Sequence, residues 1–205
     1  MIVGAGSAGC VLASRLSNDP ARRVTLLDDG PDLSPGAVPA GVSGPSFFEA
    51  MNEPGRIHDD LIARRNPVAE PSLYQRGRGI GGSSAVNAMV ALRGNPEIYA
   101  QWGWHDADQA WGRVAIPTSL ADESEIGAVN SALLAASPDA RLVELTRTAG
   151  ARVTSAEAYL WPVLDRENLT VRPNTAVDTV VVDASGRATG VRVADGTILD
   201  ADRVV

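Results

Sequence analysis

"IVGAGSAGC", residues 2–10, joins an apolar pair to three glycines at the spacing G-x-G-x-x-G. Ile2 and Val3 predict the end of a buried strand. "CVLASRLSND" (10–19) predicts a helix with Val11, Leu12 and Leu16 on one stripe, stopped at Asn18-Asp19-Pro20. The three glycines have different roles. Gly4 permits the sharp strand-to-helix turn, Gly6 lets a pyrophosphate approach the backbone, and Gly9 lets the helix lie close on the strand. The helix N-terminus then points free N–H groups and a partial positive charge at the phosphates. A second strand follows in "RRVTLLDDG" (22–30). Its terminal Asp28 lies about 20 residues past the loop, where a carboxylate can accept hydrogen bonds from an adenosine ribose. A lone glycine loop is often only a structural turn. The order strand, loop, helix, strand, acid favours a dinucleotide site. Asp29 beside Asp28 disfavours a 2′-phosphate, and hence NADP, by like-charge repulsion. The loop by itself does not separate NAD from FAD.

The totals set limits around this motif. The chain has 205 residues, 44% of them hydrophobic, which allows one large domain or two small ones with a sizeable core. A formal net charge of −7 argues against a nucleic-acid partner. One cysteine, Cys10, excludes an internal disulfide and a cysteine-cluster metal site, and reads as a small packing residue. No stretch has the length of an apolar membrane span and no charged leader precedes an apolar run. These features predict a soluble, cytoplasmic protein without a resident metal.

Beyond the second strand, about 32–73 is a Pro- and Gly-rich excursion from the nucleotide-binding sheet, and His58 within it reads as a surface histidine. Trp102, Trp104 and Trp111 predict a packed edge between subdomains, with an aromatic wall beside a substrate as the alternative. His105 has no second ligand-type residue at helical spacing. "AVNSALLAASPDA" (128–140) predicts a helix ended by Pro138. From Leu169 the period changes to two, and "LTV", "AVDTVVV", "ATGVRVA" and "TILDADRVV" predict an antiparallel meander with turns at "DASGR" and Asp195-Gly196. "DRVV" (202–205) predicts an exposed, unpaired sheet edge.

A second glycine run, "GRGIGGSSAVNAMVALRG" (77–94), begins Gly77-Arg78-Gly79-Ile80 and continues Gly81-Gly82-Ser83-Ser84 into a predicted helix Ala85-Val86-Asn87-Ala88-Met89-Val90. Gly81 and Gly82 remove side chains where a ligand could touch the backbone. Ser83 and Ser84 can cap the helix and donate hydroxyl hydrogen bonds to that ligand. Taken alone, an ordinary capped helix after a glycine turn explains the run equally well.

Together these stretches resemble the glucose-methanol-choline (GMC) oxidoreductases. "IVGAGSAGCVLASRLS" is similar to that family's N-terminal FAD loop, and Gly77 to Ala100 to its first signature, including Gly81, Gly82, Ser83, Ser84, Asn87 and Gly94. "RVTSAEAYLWPVLDRENLTV" (152–171) resembles its R-x-S-A-x-x-A-Y-L-x-P block, and 176–196 the meander after it. The resemblance implies an α/β, Rossmann-like FAD/NAD(P)-binding fold with a β-meander and a partial, shortened substrate domain. It implies the FAD-binding domain at 1–100, a remnant of the substrate region at 101–150, and the FAD-binding domain again at 151–205.

It implies, further, that Gly4, Gly6, Ser7, Ala8 and Gly9 hold the FAD pyrophosphate and Asp28 the ribose. Gly81 to Ser84, with Arg78 and Ala88 flanking them, would lie along the diphosphate and flavin, Asn87 near the isoalloxazine edge, and Val177 against the adenine. Val86 stands where some relatives attach flavin through a histidine, so binding is expected to be non-covalent. The implied reaction passes hydride from a small alcohol-type donor to flavin, with the electron acceptor unspecified. The family's catalytic histidine matches neither His58 nor His105. Relatives are far longer, and residues 104 to 148 span too little for a full substrate domain. The expectation is therefore a truncated chain that binds FAD and is inactive alone. The alternatives are a non-catalytic nucleotide-binding remnant or partner subunit, and an NAD-dependent Rossmann dehydrogenase.

Overall fold

A computed structural model describes residues 1–205, every residue of the chain. Strand β1 (Ile2–Val3) passes through Gly4–Gly6 into helix α1 (Ser7–Leu16), and the chain returns as β2 (Val24–Leu27), parallel to β1 with Ile2 opposite Leu26. Parallel neighbours require such a crossover, and a strand covered on both faces reads as a continuous apolar run. Leu26 and Leu27 are accordingly fully buried.

The third strand of this sheet corrects the sequence reading. β3 (Leu169–Arg172) does not join the meander. It pairs in parallel with β2, Val24 opposite Leu169 and Leu27 opposite Arg172. β2 offers a full ladder of backbone groups on the side away from β1, and a buried edge of that kind must be paired. Leu169 and Val171 complete the apolar cluster beneath it. The last residues are also not an unpaired edge. Val205 accepts from the Val3 N–H at 2.8 Å and donates to the Met1 carbonyl at 3.0 Å, so its backbone lies along the free side of β1.

α1 turns a different face to the sheet from the one expected. Gly9, Cys10 and Ala13 are its buried residues, with Leu12 and Leu16 only partly covered and Val11 outside the packed cluster. The cause is Gly9, where an added Cβ would lie 1.9 Å from the Gly4 carbonyl oxygen. Backbone at that separation leaves room for small residues only. On the far side of α1, a π-helical turn at Ala156–Leu160 packs its buried Ala156 and Leu160 into the same core. Thr154 Oγ1 accepts from the Glu157 N–H while Glu157 Oε2 accepts from the Thr154 N–H, a reciprocal cap that starts this turn.

The meander consists of β4 (Val177–Val182), β5 (Ala188–Val193) and β6 (Ile198–Asp200), antiparallel in that order, with Val191 opposite both Val180 and Leu199. Gly186 and Gly196 sit at positive φ in its two turns, as the sequence predicts.

The excursion holds two short helices, Ala40–Ser43 and Phe47–Asn52, and a two-stranded ladder joining Ile62–Ala63 to Ser72–Leu73. The helix predicted over 128–140 forms at Ala128–Ala136 but buries none of its residues. Trp102 and Trp104 pack edge to face, with ring centroids 5.5 Å apart, and both are exposed. The packed edge expected of them is not formed within this chain. Residues 85–90 depart from prediction as well: a 3₁₀ turn covers Gly82–Ala85 and the chain leaves it at Val86 for a short strand at Val90–Ala91.

Candidate cofactor site

The ends of β1 and β2 open onto a cavity of about 380 Å³ whose walls are largely backbone. Gly4 and Gly6 of the first run and Gly77, Gly79 and Gly82 of the second line it, together with Asp28, Asp29, Thr175, Ala176 and Val177. The resemblance assigns both glycine runs to one ligand, and the fold presses them together. The Gly81 N–H donates to the Ala5 carbonyl at 2.8 Å, and a Cβ on Gly82, itself at φ +51°, would stand 2.6 Å from Gly6 Cα. Gly77 is equally constrained, its Cβ position lying 2.3 Å from the Gly82 carbonyl oxygen. Only backbone without side chains satisfies all of these contacts.

Asp28 is buried and already supports the first loop. Its Oδ2 accepts from the Ala5 N–H at 2.7 Å and its Oδ1 from the Gly30 N–H at 2.9 Å. Each oxygen keeps a further lone pair, and the residue lines the cavity, so it can still accept from a ligand hydroxyl. Gly6 caps α1 without any side-chain hydrogen bond, which leaves the first-turn N–H groups at Ser7, Ala8 and Gly9 for an anion. Asp29 is held by Arg78, whose Nε donates to Oδ2 at 3.0 Å and whose Nη2 donates to the Asp29 carbonyl at 2.8 Å. This places the Arg78 side chain on Asp29 and away from the cavity wall.

The second run is tied into the protein to different degrees. Ser84 Oγ donates to the Gly81 carbonyl at 2.6 Å and accepts from the Ser155 N–H at 2.9 Å, so its hydroxyl is committed internally. Ser83 Oγ accepts from the Gly77 N–H at 3.1 Å. Asn87 and Ala88 are exposed beyond the crossing of the loops. Val177 lines the cavity as well.

Two residues here received no site role from the sequence. His58, expected on the surface, is half-buried and lines the cavity, because its backbone N–H donates to the Arg76 carbonyl and brings it beside Gly77. Arg152 lies beneath the second run with 2% of its surface exposed. Pairing across such distances leaves no local signal. Cys10 fits its packing assignment: it is buried, its thiol donates to the Ala5 carbonyl, and burial pushes its pKa up to about 12. A separate cavity of about 250 Å³ between Leu33, Ile80 and Trp161 contains none of the loop glycines.

A family profile described as GMC oxidoreductase matches residues 1–125, more than half of the chain. Among curated relatives, an alcohol dehydrogenase [acceptor] of Pseudomonas putida is 31% identical over 83% of this chain and 38% of its own length. The mitochondrial choline dehydrogenase of Mus musculus is 32% identical over 93% of this chain and 39% of its own length. The chain thus spans about two fifths of these relatives. Pyridoxine 4-oxidase from Mesorbium loti superposes with a TM-score of 0.83 at 24% identity, covering 99% of this chain and 48% of that one. A formate oxidase gives a TM-score of 0.75 at 21% identity, covering 100% and 44%. The structural likenesses establish an α/β, Rossmann-like fold of the FAD-binding kind.

Proposed function

The chain belongs to the GMC oxidoreductases, and on that premise we propose that it is the FAD-carrying part of an enzyme that oxidises a small alcohol-type donor. One observation carries this reading: the two glycine runs meet in backbone contact at Gly6 and Gly82, in a cavity that Asp28 and Val177 also line. A single phosphate loop needs no such partner. A long ligand with a diphosphate in its middle does.

FAD would bring the capacity to accept two electrons as hydride from the donor carbon. The protein's own contribution is binding and orientation. The α1 N-terminus at Ser7, Ala8 and Gly9 would hold the diphosphate, Asp28 would accept from the ribose, and Val177 would border the adenine. Gly81 to Ser84 carry the rest of the ligand along the second run toward Asn87 and Ala88, with Arg78 acting through Asp29. Val86 offers no nucleophile, so the cofactor is held without a covalent bond. Residues 1–100 and 151–205 constitute the cofactor-binding part, and 101–150 a reduced remnant of the substrate region. His105 is exposed and His58 stands at the Asp28–Gly77 wall, so neither serves as the base that takes the hydroxyl proton.

Titration of the purified chain with FAD, followed by flavin fluorescence and absorbance, tests the reading. The expected result is saturable FAD binding that NAD does not displace, without alcohol-dependent flavin reduction by this chain alone. A chain that binds NAD and leaves FAD free would overturn the assignment.

A further inference from the structure

Arg152 is a cation held where cations are expensive. It is 2% exposed, forms no ion pair, and keeps its Nη2 buried without any acceptor. Burial, opposed only by Glu157, pulls its pKa below the usual arginine value. Packing alone would be served better by an apolar side chain. What the guanidinium does reach is specific. Its Nε donates to the Val42 carbonyl at 3.0 Å, in the short helix of the excursion. Its Nη1 donates to the Ser84 carbonyl at 3.3 Å, to the Asn87 carbonyl at 2.7 Å and to Asn87 Oδ1 at 2.9 Å. One side chain therefore joins the excursion to the second glycine run.

The contact with Asn87 decides which way that amide faces. Asn87 Oδ1 also accepts from the Met89 N–H at 3.0 Å. Both neighbours are donors without acceptor capacity at these atoms, so the oxygen must face inward and the NH₂ outward. The outward Nδ2 has no partner in the protein, and Asn87 is exposed. Its own N–H donates to the Ser83 carbonyl, which puts it one turn past the point where the two glycine runs touch. Asn87 thus lies five residues beyond Gly82, the last residue of the second run that lines the cavity.

We propose that Arg152 is a positioning residue that locks Asn87 as a fixed, outward hydrogen-bond donor to an acceptor atom on the flavin end of the cofactor. This rests on the FAD reading above. The fork geometry is essential: lysine keeps the charge but cannot span Val42, Ser84 and Asn87 together. A donor fixed on an acceptor atom of the ring favours the more electron-rich, reduced form, so it raises the reduction potential of bound FAD.

The test uses the 205-residue chain with FAD and the variants Asn87→Asp, Asn87→Ala, Arg152→Lys and the Arg152→Lys/Asn87→Ala double. Asn87→Asp retains acceptors for Arg152 and Met89 but has no N–H to offer, so it removes the donor and keeps the fold. Its expected effects, matched in direction by the uncharged Asn87→Ala, are FAD binding weakened about tenfold and a more negative reduction potential, with a native far-UV circular dichroism spectrum. Arg152→Lys is expected to weaken FAD binding in the Asn87 background and to add nothing in the Asn87→Ala background, the signature of one residue acting through another. Wild-type affinity and potential in Asn87→Asp would overturn the proposal, as would an equal Arg152→Lys effect in both backgrounds. If the unmodified chain bound no FAD, the cofactor reading itself would fail and this inference with it. Should Arg152→Lys fail to fold, Asn87→Asp still decides between the outcomes.

Discussion

Replacing Gly82 by alanine probes the contact on which the site depends. Two separate costs follow from the geometry. Gly82 has φ +51°, where an L-residue loses about 1–2 kcal/mol. The new Cβ would also sit 2.6 Å from Gly6 Cα, and because that atom is backbone no rotamer change relieves it. Overpacking of this kind costs about 1–3 kcal/mol, so the total is roughly 2–5 kcal/mol, a large share of the roughly 5–15 kcal/mol that stabilises a typical domain. Gly186→Ala supplies the control, since Gly186 has φ +84° with open space around its Cβ position and incurs the first cost alone. Urea unfolding followed by far-UV circular dichroism measures both variants, and FAD titration is run beside it. The expected difference between them is about 1–3 kcal/mol, with FAD affinity lowered only in Gly82→Ala. If Gly82→Ala were no more destabilising than Gly186→Ala and bound FAD normally, the crossing of the two runs would not be the constraint described.

Two further outcomes follow from titrating groups. With its pKa raised to about 12 by burial, the Cys10 thiol is expected to resist a maleimide at about pH 8 in the native chain and to react on unfolding; rapid native labelling would contradict its place under the first loop. Glu125 is held down to about 2, first by its hydrogen bonds from Arg147 at 2.7 and 2.8 Å and then by the Asp122 N–H. A depressed carboxylate stabilises the fold above its unfolded value of 4.5 and loses that contribution as pH falls toward 2. The stability difference between wild type and Glu125→Gln is therefore expected at neutral pH and absent near pH 2, and a difference independent of pH would remove the role assigned to this pair.

What the sequence made legible is what short-range sterics dictate. The first glycine loop and the turns at Gly186 and Gly196 all depend on residues within a few places of one another. Cys10 was legible for the same reason. Partner choice over long distances was not: a period of two marks Leu169–Val171 as strand but says nothing about β2 as the neighbour. The helix predicted through 85–90 stops after Asn87 because the Met89 N–H goes to Asn87 Oδ1 and Met89 itself sits at φ +61°. His58 looked like a surface residue because its flanking acids are polar, whereas the backbone bond to Arg76 determines where it lies.

The contact between Gly6 and Gly82 has a kinetic consequence. The cavity has no local precursor, since its walls come from residues 3–6, 28–29, 58, 77–82 and 175–177. Closing loops of that length slows folding, and no fragment that lacks one wall contains the pocket. FAD that bound only the finished pocket would stabilise the folded chain by mass action.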